Sequence, residues 1–274
     1  MKTKYQLIFF AAALTLMMFS CTACKEKPIE AGSFELAFIP TVNGERIEKG
    51  VPVVNIQNRK YQIDFFLMYV ADITLVKENG DEVLLSEINL YDLVSGGEAR
   101  HTTDENTAFK TFDMIDVGNY RGVKFGIGVP DRLNTDPASY PVNHPLSVGS
   151  SMYWSWRTGY KFLAMEGLID QSPDNNGLVL DLPLAYHTGK DSVNSLNVIY
   201  REVSFLDNDN AFTLQSGQTV HFNIEMDINR MFYNENDTLD MVRFNITHSV
   251  PGEQFDISRT ITDNLVSGAL HKVP

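Results

Sequence analysis

Phe34, Leu36 and Phe38 alternate with Glu35 and Ala37, Tyr61, Ile63 and Phe65 with Gln62 and Asp64, and Val220, Phe222 and Ile224 with His221 and Asn223. A period of two puts every second side chain on one face, so each stretch predicts a strand with one buried side. Further strands are predicted over residues 69–77, 82–88, 121–128, 160–168, 178–182, 197–205 and 241–247. Asn43-Gly44, Asn79-Gly80 and Asn176-Gly177 separate apolar runs. Asn-Gly supplies the positive φ of tight hairpin turns, so antiparallel meanders are expected. Helical periodicity is confined to residues 227–233 and 257–270, the second with Ser258 as its candidate cap. No internal repeat and no Pro/Gly-rich linker divides the chain. The expectation is one all-β domain over residues 33–274, an antiparallel β-sandwich or barrel with short helices near the C-terminus.

One segment breaks this pattern. Residues 7–19 are almost wholly apolar and follow Lys2 and Lys4, which is the arrangement of an export signal and is shorter than a membrane-spanning helix requires. The sequence Phe19-Ser20-Cys21-Thr22-Ala23-Cys24 resembles the lipobox of bacterial lipoproteins. It predicts a signal peptide over residues 1–20, acylation of Cys21 with Cys24 as the alternative, and a lipidated tether over residues 21–32. A redox or metal-binding Cys-x-x-Cys pair is disfavoured, because such a motif should open a helix within a folded βαβ unit. The address expected is the periplasm or cell surface, with a lipid anchor in the bacterial, most naturally the outer, membrane.

Composition narrows the partners. The 274 residues hold 22 Lys+Arg against 35 Asp+Glu, a formal charge of −13, and 43% are hydrophobic, enough for a substantial core. A surface of that sign repels a phosphate backbone, so no nucleic-acid partner is expected. The sequence carries no Gly-x-Ser-x-Gly elbow, no phosphate-binding Gly-Lys-Ser/Thr loop, no His-Glu-x-x-His and no Cys-x-x-Cys-His haem site. Gly126-Ile127-Gly128 lacks the third glycine and the helix of a dinucleotide site. Asp207-Asn208-Asp209-Asn210 alternates oxygen donors like a calcium loop but lacks the turn glycine and the downstream glutamate; a solvated turn is expected rather than calcium. An enzyme reading has only Asp131, Asp136 and Glu166 to recommend it, without a paired geometry, so no catalytic turnover is expected.

Both tryptophans fall in Trp154-Ser155-Trp156. On a strand, Met152, Trp154 and Trp156 share one face and Tyr153, Ser155 and Arg157 the other. Two uses follow from residue type alone: an ordinary core stripe, or a stacking platform for the faces of sugars.

The segment also carries a resemblance. Tyr69-Val70 with Asp72-Ile73-Thr74-Leu75, the run from Tyr120 through Gly126-Ile127-Gly128-Val129-Pro130, Asn134, His144-Pro145-Leu146, Glu166-Gly167 and above all Trp154-Ser155-Trp156-Arg157-Thr158-Gly159-Tyr160-Lys161-Phe162 resemble the MbnP-like copper-binding proteins. These are related to the methanobactin-operon protein MbnP and to methanotroph surface copper proteins. Phe34-Glu35-Leu36, Ala185-Tyr186-His187-Thr188-Gly189, Thr247-His248 and Asn264 extend the likeness over nearly all of the chain after the export signal. The resemblance implies that a tryptophan of this block is oxidised to kynurenine by a separate dihaem peroxidase-like enzyme, and that the product binds copper together with histidines. Indole nitrogen only donates a hydrogen bond; opening the ring frees an aniline nitrogen, which with neutral imidazoles suits Cu(I).

On this resemblance His187 is the first candidate ligand and His248 the second, with Trp154 or Trp156 as the modified residue. His144 and His221 are expected as loop and packing residues, and His101 and His271 as solvated ones. Two positions depart from the family: Phe38-Ile39-Pro40 stands where a first-strand histidine often lies, and Ala71 replaces a small serine. The implied role is copper acquisition or handling by an exported lipoprotein. The alternative is a glycan- or peptide-binding surface module using Trp154 and Trp156 as its platform.

Overall fold

The computed structural model describes residues 30–94, 108–154, 159–172, 179–190, 199–234 and 237–274. The export segment, Cys21, Cys24, His101, the Asn176-Gly177 turn and Trp156 lie outside them. Strands dominate, in two sheets. The smaller holds β1 (Ala31–Val42), β2 (Glu45–Arg46), β6 (Phe109–Asp116), β13 (Thr219–Asp227) and β15 (Leu270–Val273). The larger, which curls, holds β3 (Val53–Val54), β4 (Lys60–Lys77), β5 (Glu82–Asp92), β7 (Gly118–Ile127), β8 (Tyr153–Trp154), β9 (Gly159–Ile169), β10 (Leu182–Gly189), β11 (Arg201–Phe205), β12 (Phe212–Leu214) and β14 (Ile246–Thr247). Helices are few: α1 (Ile228–Phe232) and α2 (Glu253–Asn264), the latter continued by a π turn over Leu265–Ala269. The expected all-β class is what the chain adopts.

The main core lies between the sheets. Phe34, Leu36 and Phe38 on β1 meet Met68 and Val70 on β4 and Phe125 on β7, all buried, and the Phe38 ring sits edge-on to Tyr91 and Phe125. Strand β4 is buried on its other face as well. There Leu67, Tyr69 and Ala71 join Tyr160, Phe162 and Ala164 of β9 in a second cluster, with Leu146 and Met152. Burial on both faces removes the need for polar alternation, which is why Phe65-Phe66-Leu67-Met68-Tyr69-Val70-Ala71 reads as a continuous apolar run. The two stretches predicted at 61–65 and 69–77 are halves of this one strand; β9 pairs with its first half and β7 with its second.

Several expectations need correction. Two pairings are parallel, β1 with β13 and β10 with β14, so the sheets are mixed rather than wholly antiparallel. The strand predicted over 178–182 instead runs from Leu182 to Gly189. Most of 241–247 is a turn, because the Asp240 carboxylate accepts the amide protons of Val242 and Arg243 at 2.9 and 3.1 Å and closes the chain locally. Only Ile246 and Thr247 join the sheet. Helix α2 begins at Glu253, after Gly252 at φ 98°, so Ser258 lies within it and caps nothing. Asp207–Asn210 is a turn in which Asn210 donates to Asp207 through both its backbone and its side chain.

Candidate functional site

The site forms where β10, β14, β8 and β9 meet. Strands β10 and β14 run parallel with Ala185 opposite Ile246 and Tyr186 opposite Thr247. One step further along the same register, His187 and His248 become lateral neighbours. Their ring centroids lie 4.9 Å apart with planes 14° from parallel, a separation close to the spacing of adjacent strands, roughly 4.8 Å. Just beyond, Ser249 adopts a left-handed φ of 52° and its buried hydroxyl donates to the His187 carbonyl at 3.0 Å. That hydrogen bond ties the end of β14 to β10. Ser258 and Thr247 hydroxyls complete a buried chain of hydrogen bonds beneath it.

Trp154 arrives from the other side. It sits on β8, paired with Gly159 of β9, and its ring centroid is 5.7 Å from that of His187 and 6.0 Å from that of His248. The ring packs at Gly189, where an added Cβ would lie 3.7 Å from Trp154 Cζ3 and 2.8 Å from the Tyr160 carbonyl oxygen. The indole is 7% exposed and His187 8%, while His248 is half-buried, so the cluster is open to solvent chiefly along the His248 edge. Lys161 places its ammonium 6.0 Å from the Trp154 ring centroid.

The polar contacts sort the imidazole nitrogens. His187 Nε2 is 2.8 Å from Glu166 Oε1. A carboxylate offers lone pairs only, so this nitrogen carries the proton and donates. In the Nε2–H tautomer Nδ1 keeps its lone pair, and it is buried with no hydrogen-bond partner among the described residues. A buried acceptor without a partner is costly, about 1–3 kcal/mol, and asks for an occupant. His248 is held below the usual imidazole pKa by burial and by the neighbouring His187 and Lys161, against an opposing pull from Glu166. It is therefore neutral at physiological pH. The neutral imidazole of His248 and the imidazole of His187, with a carboxylate behind the latter, match the donor set and the outer support of a soft, low-coordinate metal site. Among the described residues no group of three or more His, Cys, Asp and Glu side chains is placed to hold a metal ion.

The structure thus brings together three of the four residues named from the sequence, with Trp156 outside the described residues. The other histidines stand in separate environments. His144 stacks on Tyr140 and its Nδ1 accepts the Leu146 amide proton at 3.1 Å; His221 is exposed and pairs with Glu35 at 2.8 Å rather than packing inward; His271 is exposed on β15. Asp131 pairs with Lys190 and Asp136 caps a short turn at the Ala138 amide. Sequence reasoning did not assign Glu166 to His187. The strand register holds the signal: Ala164 faces His187 across β9 and β10, and Glu166, two residues on, shares that face.

Comparison with known proteins finds a family model and a similar solved structure. The MbnP family model matches residues 31–249. Among solved structures, MbnP from Methylosinus trichosporium is similar, with a TM-score of 0.49 and 15% identity over 76% of this chain and 79% of its own. No curated protein matches.

Proposed function

Because the chain belongs to the MbnP family, we propose that it binds copper, as Cu(I), at His187 and His248 beside Trp154, as an exported lipoprotein of copper acquisition or handling and not as a catalyst. Family membership supports the copper-related, methanobactin-associated role. The observation that carries the site is His187 Nδ1, buried without a partner among the described residues, next to the His248 ring 4.9 Å away. Soft cations take such nitrogen donors readily.

In this reading Trp154 is the tryptophan that a dihaem partner converts to kynurenine, because its ring touches both imidazoles. The aniline nitrogen released on ring opening would add the donor that the carboxylates and histidines do not supply. Lipidation at Cys21, or at Cys24, would hold the domain at the outer membrane. A sugar-stacking platform needs exposed indoles, and the burial of Trp154 disfavours it.

Anaerobic Cu(I) titration against a chromophoric chelator tests the proposal. The parent protein should take one Cu(I) per chain. His187→Ala and His248→Ala should each weaken binding beyond the roughly 10–100-fold that loss of an outer-shell partner costs. Parental affinity in both variants refutes the site.

A further inference from the structure

We propose that Glu166 is a positioning residue: its carboxylate holds the His187 proton on Nε2, so that Nδ1 is the nitrogen His187 presents to the metal. This rests on the copper reading above and adds which atom binds and which residue decides it.

Three observations carry it. The Glu166 Oε1 to His187 Nε2 distance of 2.8 Å is that of a charge-assisted hydrogen bond. The opposite ring nitrogen, Nδ1, is buried and has no hydrogen-bond partner among the described residues, which leaves it open to a metal. The carboxylate is also delivered by a rigid segment. Glu166 lies on β9 between β4 and β10, and the following Gly167 runs so close to β4 that an added Cβ would sit 2.0 Å from the Gln62 carbonyl oxygen. Glu166 therefore cannot drift along the strand. A neutral imidazole without such an acceptor exchanges its proton between the two nitrogens and spends part of its time with Nδ1 blocked.

The test is nitrogen NMR of the histidine rings at about pH 8 in the full, metal-free protein, together with Cu(I) competition titration, for the parent, Glu166→Ala and Glu166→Gln. The parent His187 should read as the single Nε2–H tautomer. Glu166→Ala should give a tautomer mixture and lose about 10–100-fold in Cu(I) affinity, with a lowered melting temperature, because it leaves the buried His187 Nε2 without its acceptor. Glu166→Gln keeps an acceptor oxygen and should retain the tautomer and most of the affinity. An Nδ1-protonated His187 in the parent, or parental tautomer and affinity in Glu166→Ala, overturns the assignment. A parent protein that takes up no Cu(I) refutes the copper reading instead, and the tautomer spectra still decide whether Glu166 fixes the ring. Should Glu166→Ala fail to fold, Glu166→Leu, which fills the space without offering an acceptor, takes its place with the same expected tautomer mixture and loss of affinity, and parental tautomer and affinity there overturn the assignment.

Discussion

His187 and His248 stack within 4.9 Å and 14° of parallel because they occupy successive places on a parallel strand pair whose register is set at Ala185–Ile246 and Tyr186–Thr247. The two rings are thus aligned by backbone pairing and by the Ser249 hydroxyl that closes it, before any metal contributes. A site preorganised in this way pays little ordering cost on binding.

Ser249→Ala is the direct probe of that closure. It removes the hydrogen bond to the buried His187 carbonyl and one link to Ser258, and should lower folding stability by about 1–3 kcal/mol in urea denaturation. Cu(I) affinity should fall as well, since His248 loses the tie that sets its position. A variant with parental stability would show that the strand pair is held elsewhere.

Phe38 stands where the family often has a first-strand histidine, and it is fully buried in the core between the sheets against Tyr91 and Phe125. Phe38→His should cost about 3 kcal/mol or more, from lost packing and a buried polar ring, while leaving Cu(I) affinity at the parental level. Tighter Cu(I) binding by this variant would contradict the placement of the site at β10 and β14.

These two residues also mark what the sequence made legible. Alternation at Phe34, Leu36 and Phe38 locates a strand and its buried face, because a period of two is a property of the chain itself. It carries no information about the neighbour's direction, so the parallel partners of β1 and β10 were not foreseen. Residues 241–244 look like a strand until the Asp240 side chain is seen to capture the backbone. Trp154, His187 and His248 came from family resemblance, not from spacing. Nothing in the spacing of the sequence relates Glu166 to His187, since that relation exists only once β9 and β10 are in register.

His144 gives a prediction independent of metal. Burial holds its pKa below the usual value near 6.5, with Glu87 pulling weakly the other way, and its Nδ1 must stay unprotonated to accept the Leu146 amide. The folded state therefore resists protonation more than the unfolded chain does. The stability of this loop is complete above pH about 6.5 and declines as pH falls through that value toward the folded pKa. An NMR titration should place the His144 midpoint below 6.5, and His144→Gln should reduce the acid-side loss. A midpoint at or above the usual value contradicts the hydrogen-bond assignment.

The modification is testable by mass. Protein purified from its native host, if that host makes the dihaem partner, should carry the kynurenine mass change, and peptide mapping should place it on Trp154. Trp154→Phe should abolish it. Modification that persists in Trp154→Phe would move the chemistry to Trp156.

X-ray absorption at the copper edge of the Cu(I)-loaded protein bears most directly on the central claim. The account predicts outer-shell scattering from two imidazoles in the parent, reduced to one in His187→Ala and in His248→Ala. A spectrum dominated by sulfur, or one that keeps both imidazoles in either variant, would contradict it.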